Sequence, residues 1–194
     1  MAKPKKLPEI LSEEELQDFF AAIPASWSGV RNHALLRLMV GTGLRVSEAL
    51  KLKMKDISFP TSRLTVRGGK GGYDRVAGLG VKEVQVLKMW LALLGDISPE
   101  KYIFVGLDRK KPVTRRYVHE LVTKLAKAAG IEKRVHPHTL RHTFGTMHYR
   151  MCKDIRATQE AMGHAKIDTT MRYTKIEAED VVQSMVALSA TFNF

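Results

Sequence analysis

DISFPTSRLTVRGGKGGYDRVAGL, Asp56 to Leu79, is the stretch where this 194-residue chain changes period. Leu64 and Val66 alternate with Arg63, Thr65 and Arg67, a two-residue repeat that puts apolar side chains on one face of a strand. Pro60 and the glycines between Gly68 and Gly72 punctuate it. The pattern predicts a small antiparallel sheet with a glycine-rich β turn, and Lys70 at its tip. The flanking sequence has helical periodicity, so this insertion decides the fold class: mainly α with a small antiparallel β-sheet, an α+β domain.

Upstream, SEEELQDFFAAI carries Ser12 and Glu15 at capping-box spacing, with acids in the first turn of the helix it opens. Ser28 then precedes VRNHALLRLMVG, where Ala34, Leu35, Leu38 and Met39 keep a helical period. A turn at Gly41–Gly43 leads to a short helix from about Val46. Downstream, VKEVQVLKMWLALLG places Val84, Leu87, Trp90, Leu91 and Leu94 on one side. TRRYVHELVTKLAKAAG is a basic helix ended by Gly130, and Pro137 opens HTLRHTFGTMHYRMC. Asp154 caps DIRATQEAMG, Asp168 caps DTTMRYT, and EAEDVVQSMVALSATFNF forms a last amphipathic helix. Residues 1–11 read as a basic tail, 12–176 as one domain, and 177–194 as a C-terminal helix or tail.

The formal charge is +12, an excess that selects anionic partners rather than a fold. It is uneven: Lys101 to Arg134 holds ten Lys or Arg against three acids. These cations spread over several elements instead of lining one amphipathic helix, which favours nucleic acid over a membrane surface or a merely solvated face. No apolar run approaches the roughly 20 residues of a membrane span, and MAKPKKLPEI lacks the apolar core of a secretion signal. One cysteine, Cys152, excludes an internal disulfide and fits a reducing, cytoplasmic setting.

The chemistry-bearing residues are individually unremarkable. Arg45 follows a Gly-Thr-Gly-Leu turn. In HPHTLRH, His136 to His142, His138 and Arg141 stand three apart and share a helix face. His164 follows the glycine that ends a helix, and Tyr173 lies nine residues further on. Zinc is the first rival: His136, His138, His142, His148 and Cys152 are close in sequence, but no CxxC or HExxH accompanies them. No metal and no cofactor is therefore expected. A non-catalytic helix-turn-helix DNA binder is the second rival, but it has no need of this ordered set.

Taken together, GTGLRVSEAL, GGKGG, HPHTLRHTFGT and MGHAKIDTTMRYT closely resemble the motifs of the tyrosine recombinases, the phage-integrase family, in order from about residue 10 to 176. The resemblance implies the catalytic-domain fold of the DNA breaking-rejoining enzymes. It implies a catalytic set of Arg45, Lys70, His138, Arg141, His164 and Tyr173, with Glu48 and His142 in support. The activity implied is site-specific cleavage and rejoining of double-stranded DNA through a covalent 3′-phosphotyrosine ester, without metal or ATP. A type IB topoisomerase, which relaxes supercoils with a similar basic set, is the alternative sharing that chemistry.

Transesterification at a phosphodiester loads negative charge onto the non-bridging oxygens, and two arginines grip those oxygens in fork geometry. Tyr173, with an ordinary phenol pKa of about 10, needs a proton acceptor, expected to be His138. Lys70 suits the proton donor to the leaving 5′-oxygen, and His164 adds a hydrogen bond to phosphate. Arg67, Arg75, Lys110, Lys111, Arg115 and Arg116 are expected to contact DNA elsewhere. His136 is left unassigned.

The sequence departs from the family pattern in three places. The catalytic pattern starts near residue 10, so a preceding core-binding domain of on the order of 80–100 residues is not expected in this chain. Gly72-Tyr73-Asp74-Arg75 replaces a second basic residue after Lys70, and Met162 replaces a more usual Leu, a volume-conserving change. The resemblance also implies that 177–194 packs on a neighbouring protomer in a tetramer on DNA, and leaves a monomer in solution open. Apolar composition alone is equally satisfied if that segment folds back on its own domain.

Overall fold

A computed structural model describes residues 9–68, 74–95 and 98–163. Lys70, His164, Asp168, Tyr173 and the segment 177–194 lie outside the described residues. In chain order the elements are α1 (Glu13–Ala21), α2 (Trp27–Thr42), α3 (Val46–Ala49), a 3-10 turn (Met54–Asp56), β1 (Ile57–Ser58), β2 (Arg63–Val66), β3 (Arg75–Gly78), α4 (Val81–Leu94), α5 (Arg115–Ala128), α6 (Pro137–Cys152) and α7 (Ile155–Met162). The expected class, helices around one small antiparallel sheet, is what this order forms.

The first helix opens on the predicted capping box. Ser12 Oγ accepts from Glu15 N–H at 3.1 Å, and Glu15 Oε2 accepts from Ser12 N–H at 2.7 Å. The tail, however, ends before residue 11. Leu11 is fully buried and its N–H donates to Thr143 Oγ1 on α6, while Lys133 Nζ donates to the Ile10 carbonyl. An apolar side chain next to a cap is drawn into the core, a local form of the hydrophobic staple.

Helix α2 starts at Ser26 rather than Ser28, because Ser26 Oγ accepts from Gly29 N–H at 3.0 Å. A Cβ on Gly29 would sit 1.8 Å from the Pro24 carbonyl oxygen, so only glycine admits this close turn. The helix is central. Leu35, Leu36, Leu38 and Met39 are all fully buried, on more than one face, since α4 and α6 both pack against it. Even Arg31 is buried, donating to the Val105 carbonyl at 3.0 Å and to Tyr117 Oη at 2.6 Å, which fixes α5 to α2.

The sheet has the order β1-β2-β3, antiparallel throughout. Leu64 pairs with Ala77 and Val66 with Arg75. Leu64, Val66 and Ala77 face the core, as alternation requires. The same parity turns Arg75 inward with Ala77, while Val76 faces solvent.

On the far side of the sequence, Thr114 caps α5, and Gly130 takes a positive φ just after its end. Pro137 occupies the first turn of α6, and Asp154 Oδ1 caps α7 by accepting from Arg156 N–H at 2.7 Å. Gly163, φ +60°, closes α7. No helix among the described residues is long and apolar enough to cross a membrane.

Candidate active site

The site is built where the end of α2, the turn into α3, strand β3, helix α6 and the end of α7 meet. Gly43 ends α2 at φ +64°, a conformation favouring glycine. A Cβ there would lie 2.3 Å from a ring carbon of Phe144 on α6. The two conditions together bring the GLR turn directly beneath α6, so that residues almost a hundred positions apart become neighbours.

Glu48 is the centre of the arrangement. It is buried, and its Oε2 accepts from the Arg45 backbone N–H at 2.8 Å while Oε1 accepts from Arg45 Nη1 at 2.7 Å. Arg75 adds a fork: Nη1 to Oε1 at 3.1 Å and Nη2 to Oε2 at 2.9 Å. Arg141 Nη1 stands 4.0 Å from Oε2. Three guanidinium groups from three elements thus surround one carboxylate. Burial alone would raise the Glu48 pKa, but the Arg75 hydrogen bonds, the Arg45 backbone bond and the Arg75 charge outweigh it and hold it at about 2. The net local charge is positive, which is what a phosphodiester requires.

Arg141 is 3% exposed and donates to the carbonyls of Gly43 and Met162. Arg45 Nη2 donates to the Gly163 carbonyl at 3.3 Å. Both arginines therefore also hold the last turn of α7, the element that leads to His164.

Within HPHTLRH the three histidines separate by role. His136 caps α6, its Nδ1 accepting from Thr139 N–H at 3.2 Å. His138 faces solvent, 6.3 Å ring to ring from His136 and 6.4 Å from His142. Partial desolvation, then the nearby charges of His136, Arg141, His119 and Arg45, lower the His138 pKa. A histidine kept neutral near pH 7 is a proton acceptor. His142 is half-buried behind it.

The described part of the predicted set, Arg45, Glu48, His138 and Arg141, is thus brought together; Lys70, His164 and Tyr173 lie outside the described residues. Of the residues expected to contact DNA, Arg115, Lys110 and Lys111 are exposed. Arg116 is exposed and paired with Glu120 at 2.7 Å, and Arg67 is exposed and paired with Asp56 at 2.6 Å. Arg75 differs. It is turned into the site, and strand parity carried from β2 to β3 was the signal that locates it there. Among the described residues no three His, Cys, Asp or Glu converge as a metal-ligand group; His148 Nδ1 and Cys152 Sγ, which the zinc alternative needs, lie 3.5 Å apart, and both approach Thr158.

The model of the phage integrase family matches residues 9–180. The tyrosine recombinase XerA of Pyrococcus furiosus is 39% identical over 184 residues, covering 94% of this chain and 62% of that protein. The chain therefore spans about three-fifths of the length of that relative. A crystal structure of XerA recombinase superposes with a TM-score of 0.80 at 32% identity, over 96% of this chain and 66% of that one. The XerH site-specific recombinase bound to difH substrate, in a pre-cleavage complex, gives 0.79 at 30% identity, over 93% and 55%. A family model that spans most of the chain, relatives at this identity and a shared catalytic-domain fold lead to one conclusion: the chain belongs to the phage integrase family, the tyrosine recombinases.

Proposed function

We propose that the protein is a site-specific DNA strand transferase. The Tyr173 phenol oxygen attacks the scissile phosphorus, the P–O bond to the 5′-oxygen breaks, and a 3′-phosphotyrosine ester forms. Arg45 and Arg141 stabilise the negative charge that grows on the non-bridging oxygens. His138 takes the phenol proton, Lys70 gives a proton to the leaving 5′-oxygen, and His164 bonds phosphate. Rejoining reverses the steps with another 5′-hydroxyl, so the bond energy is retained and neither metal nor ATP enters. The partner is double-stranded DNA in the cytoplasm, held by a homo-oligomer, a tetramer when two duplexes exchange strands.

The observation that carries this reading is the convergence of Arg45, Arg75 and Arg141 on one buried carboxylate, with a histidine of lowered pKa beside them. A purely structural ion pair needs one cation, whereas three cations on one acid leave charge for a phosphate.

The test is a library of nicked duplexes of randomised sequence, in which the short fragment diffuses away after cleavage. Protein–DNA adducts trapped in denaturant are expected, joined through a tyrosine to a 3′-phosphate, and sequencing of the trapped DNA gives the preferred site. No adduct from any member would overturn the reading. Relaxation of supercoiled plasmid without exchange between two sites would favour the topoisomerase alternative.

Affinity for any duplex is expected to fall linearly in log K with log salt, by about 0.9 per phosphate neutralised. Titration by fluorescence anisotropy across a range of salt concentrations measures it, and a flat response would remove DNA as the partner.

A further inference from the structure

Arg75 has no role in the reaction described above, yet two of its guanidinium nitrogens donate to the two oxygens of Glu48. Its position follows from the sheet. Opposite Val66 and in the same parity as Ala77, its side chain enters the protein from the first position of β3. It is 13% exposed, and its Nε is buried with no hydrogen-bond partner among the described residues. Its alkyl and guanidinium atoms also occupy the space over Gly163, where a Cβ would come within 2.9–3.0 Å of Cδ, Nε and Nη1. Three parts of the site thus meet on one residue: strand β3, the Arg45 turn and the end of α7.

Resting on the strand-transfer reading, we infer that Arg75 is a positioning residue, which through Glu48 fixes the plane of the Arg45 guanidinium and ties the start of β3 to the phosphate-binding arginines. Glu48 has two oxygens and three cations around it: Arg45 from its own turn, Arg75 from β3 and Arg141 from α6. With Arg75 present, each carboxylate oxygen is fixed by a fork, and Arg45 meets a carboxylate that cannot rotate. With Arg75 removed, Glu48 keeps its bonds to the Arg45 backbone N–H and Nη1 but loses the fork from β3, so the carboxylate and the Arg45 guanidinium shift together. An angular error of this kind costs rate rather than affinity, on the order of 100-fold for a displacement near 1 Å.

The experiment is a double-mutant cycle on adduct formation with the nicked duplex recovered for the wild-type protein, at saturating protein in a single turnover. Arg75→Gln is expected to slow adduct formation by about 100-fold, with DNA affinity lowered only by the loss of one cation. Glu48→Gln combined with Arg75→Gln is expected to be no slower than Glu48→Gln alone, because both changes break one unit. Below the acid-side loss that protonation of His138 gives both proteins, Arg75→Gln should show a second one that the wild type lacks. Without its first hydrogen-bonding cation the Glu48 pKa rises from about 2, so the carboxylate protonates as pH falls through the ordinary carboxylate range. Losses that multiply in the double variant, or Arg75→Gln reacting at the wild-type rate, would overturn the inference. If Arg75→Gln does not give a cooperative thermal unfolding transition, Arg75→Lys, which keeps the charge but loses the fork, takes its place in the same cycle. A wild type that forms no tyrosyl adduct would instead sink the strand-transfer reading itself.

Discussion

Arg141→Ala is expected to abolish adduct formation, by at least about 10³-fold, while the protein still binds DNA. The magnitude follows from what an arginine supplies to a phosphoryl-type transition state, roughly 10³–10⁵ in rate. Arg141 is held more firmly than a surface cation could be. It is almost fully buried, its two terminal nitrogens donate to the Gly43 and Met162 carbonyls, and it lies 4.0 Å from Glu48. Those bonds orient the guanidinium before substrate arrives, so no reorganisation is needed as charge develops. Truncation also leaves two buried carbonyls without their donor, which costs roughly 1–3 kcal/mol each. The thermal midpoint is therefore expected to fall, and the rate comparison must be made well below it. Arg141→Lys separates the two effects: one ammonium reaches only one carbonyl and cannot present a planar fork to phosphate. An Arg141→Ala protein that is folded and forms adduct within about tenfold of wild type would show that phosphate charge is stabilised elsewhere.

Much of this site was legible in the sequence because its parts are local. Ser12 with Glu15, and Asp154, each announce a helix start through a bond spanning two or three residues, Pro137 does so through its fixed φ, and the structure contains all of these starts. The alternation of Leu64 and Val66 likewise encodes its own inward face. What the sequence hid depends on distant partners. Ser26 and Ser28 are equivalent as letters; only the approach of Pro24 to Gly29 selects the first. Helix α2 shows a stripe in sequence, yet it is buried on several sides because α4 and α6, from elsewhere in the chain, both pack on it. Sequence places Arg75 only among the cations expected to contact DNA, since most arginines are exposed. Its true setting needed the register Val66 to Arg75 and the knowledge that Glu48 waits beneath the strand. Leu11 was assigned to a tail for the same reason, since its partner Thr143 is 132 residues away.

Tyr173→Phe is expected to form no covalent adduct at all, with unchanged affinity and an unchanged salt slope. The reasoning is chemical rather than geometric, as Tyr173 lies outside the described residues. The ester joins the phenol oxygen to phosphorus, and phenylalanine has no atom that can make that bond. A single neutral hydroxyl releases no counterions, so the electrostatic part of binding stays as it was. The chain has five tyrosines, which makes the choice of nucleophile testable against real competitors. Tyr117 is committed: its hydroxyl is bonded to both Arg31 and Asn32 between α2 and α5. Tyr102 is bridged to Lys53 at the start of the 3-10 turn, with the Lys53 ammonium over its ring. Tyr149 is on α6 itself, two turns beyond Arg141, and is the competitor that shares an element with the site. The measurement is peptide mapping of the adduct from the wild type, beside denaturing-gel detection in Tyr173→Phe and Tyr149→Phe. Loss in the first variant with retention in the second assigns the nucleophile. An adduct that survives Tyr173→Phe and disappears with Tyr149→Phe would move the reaction to α6, and with it the direction from which the phenol must approach phosphorus.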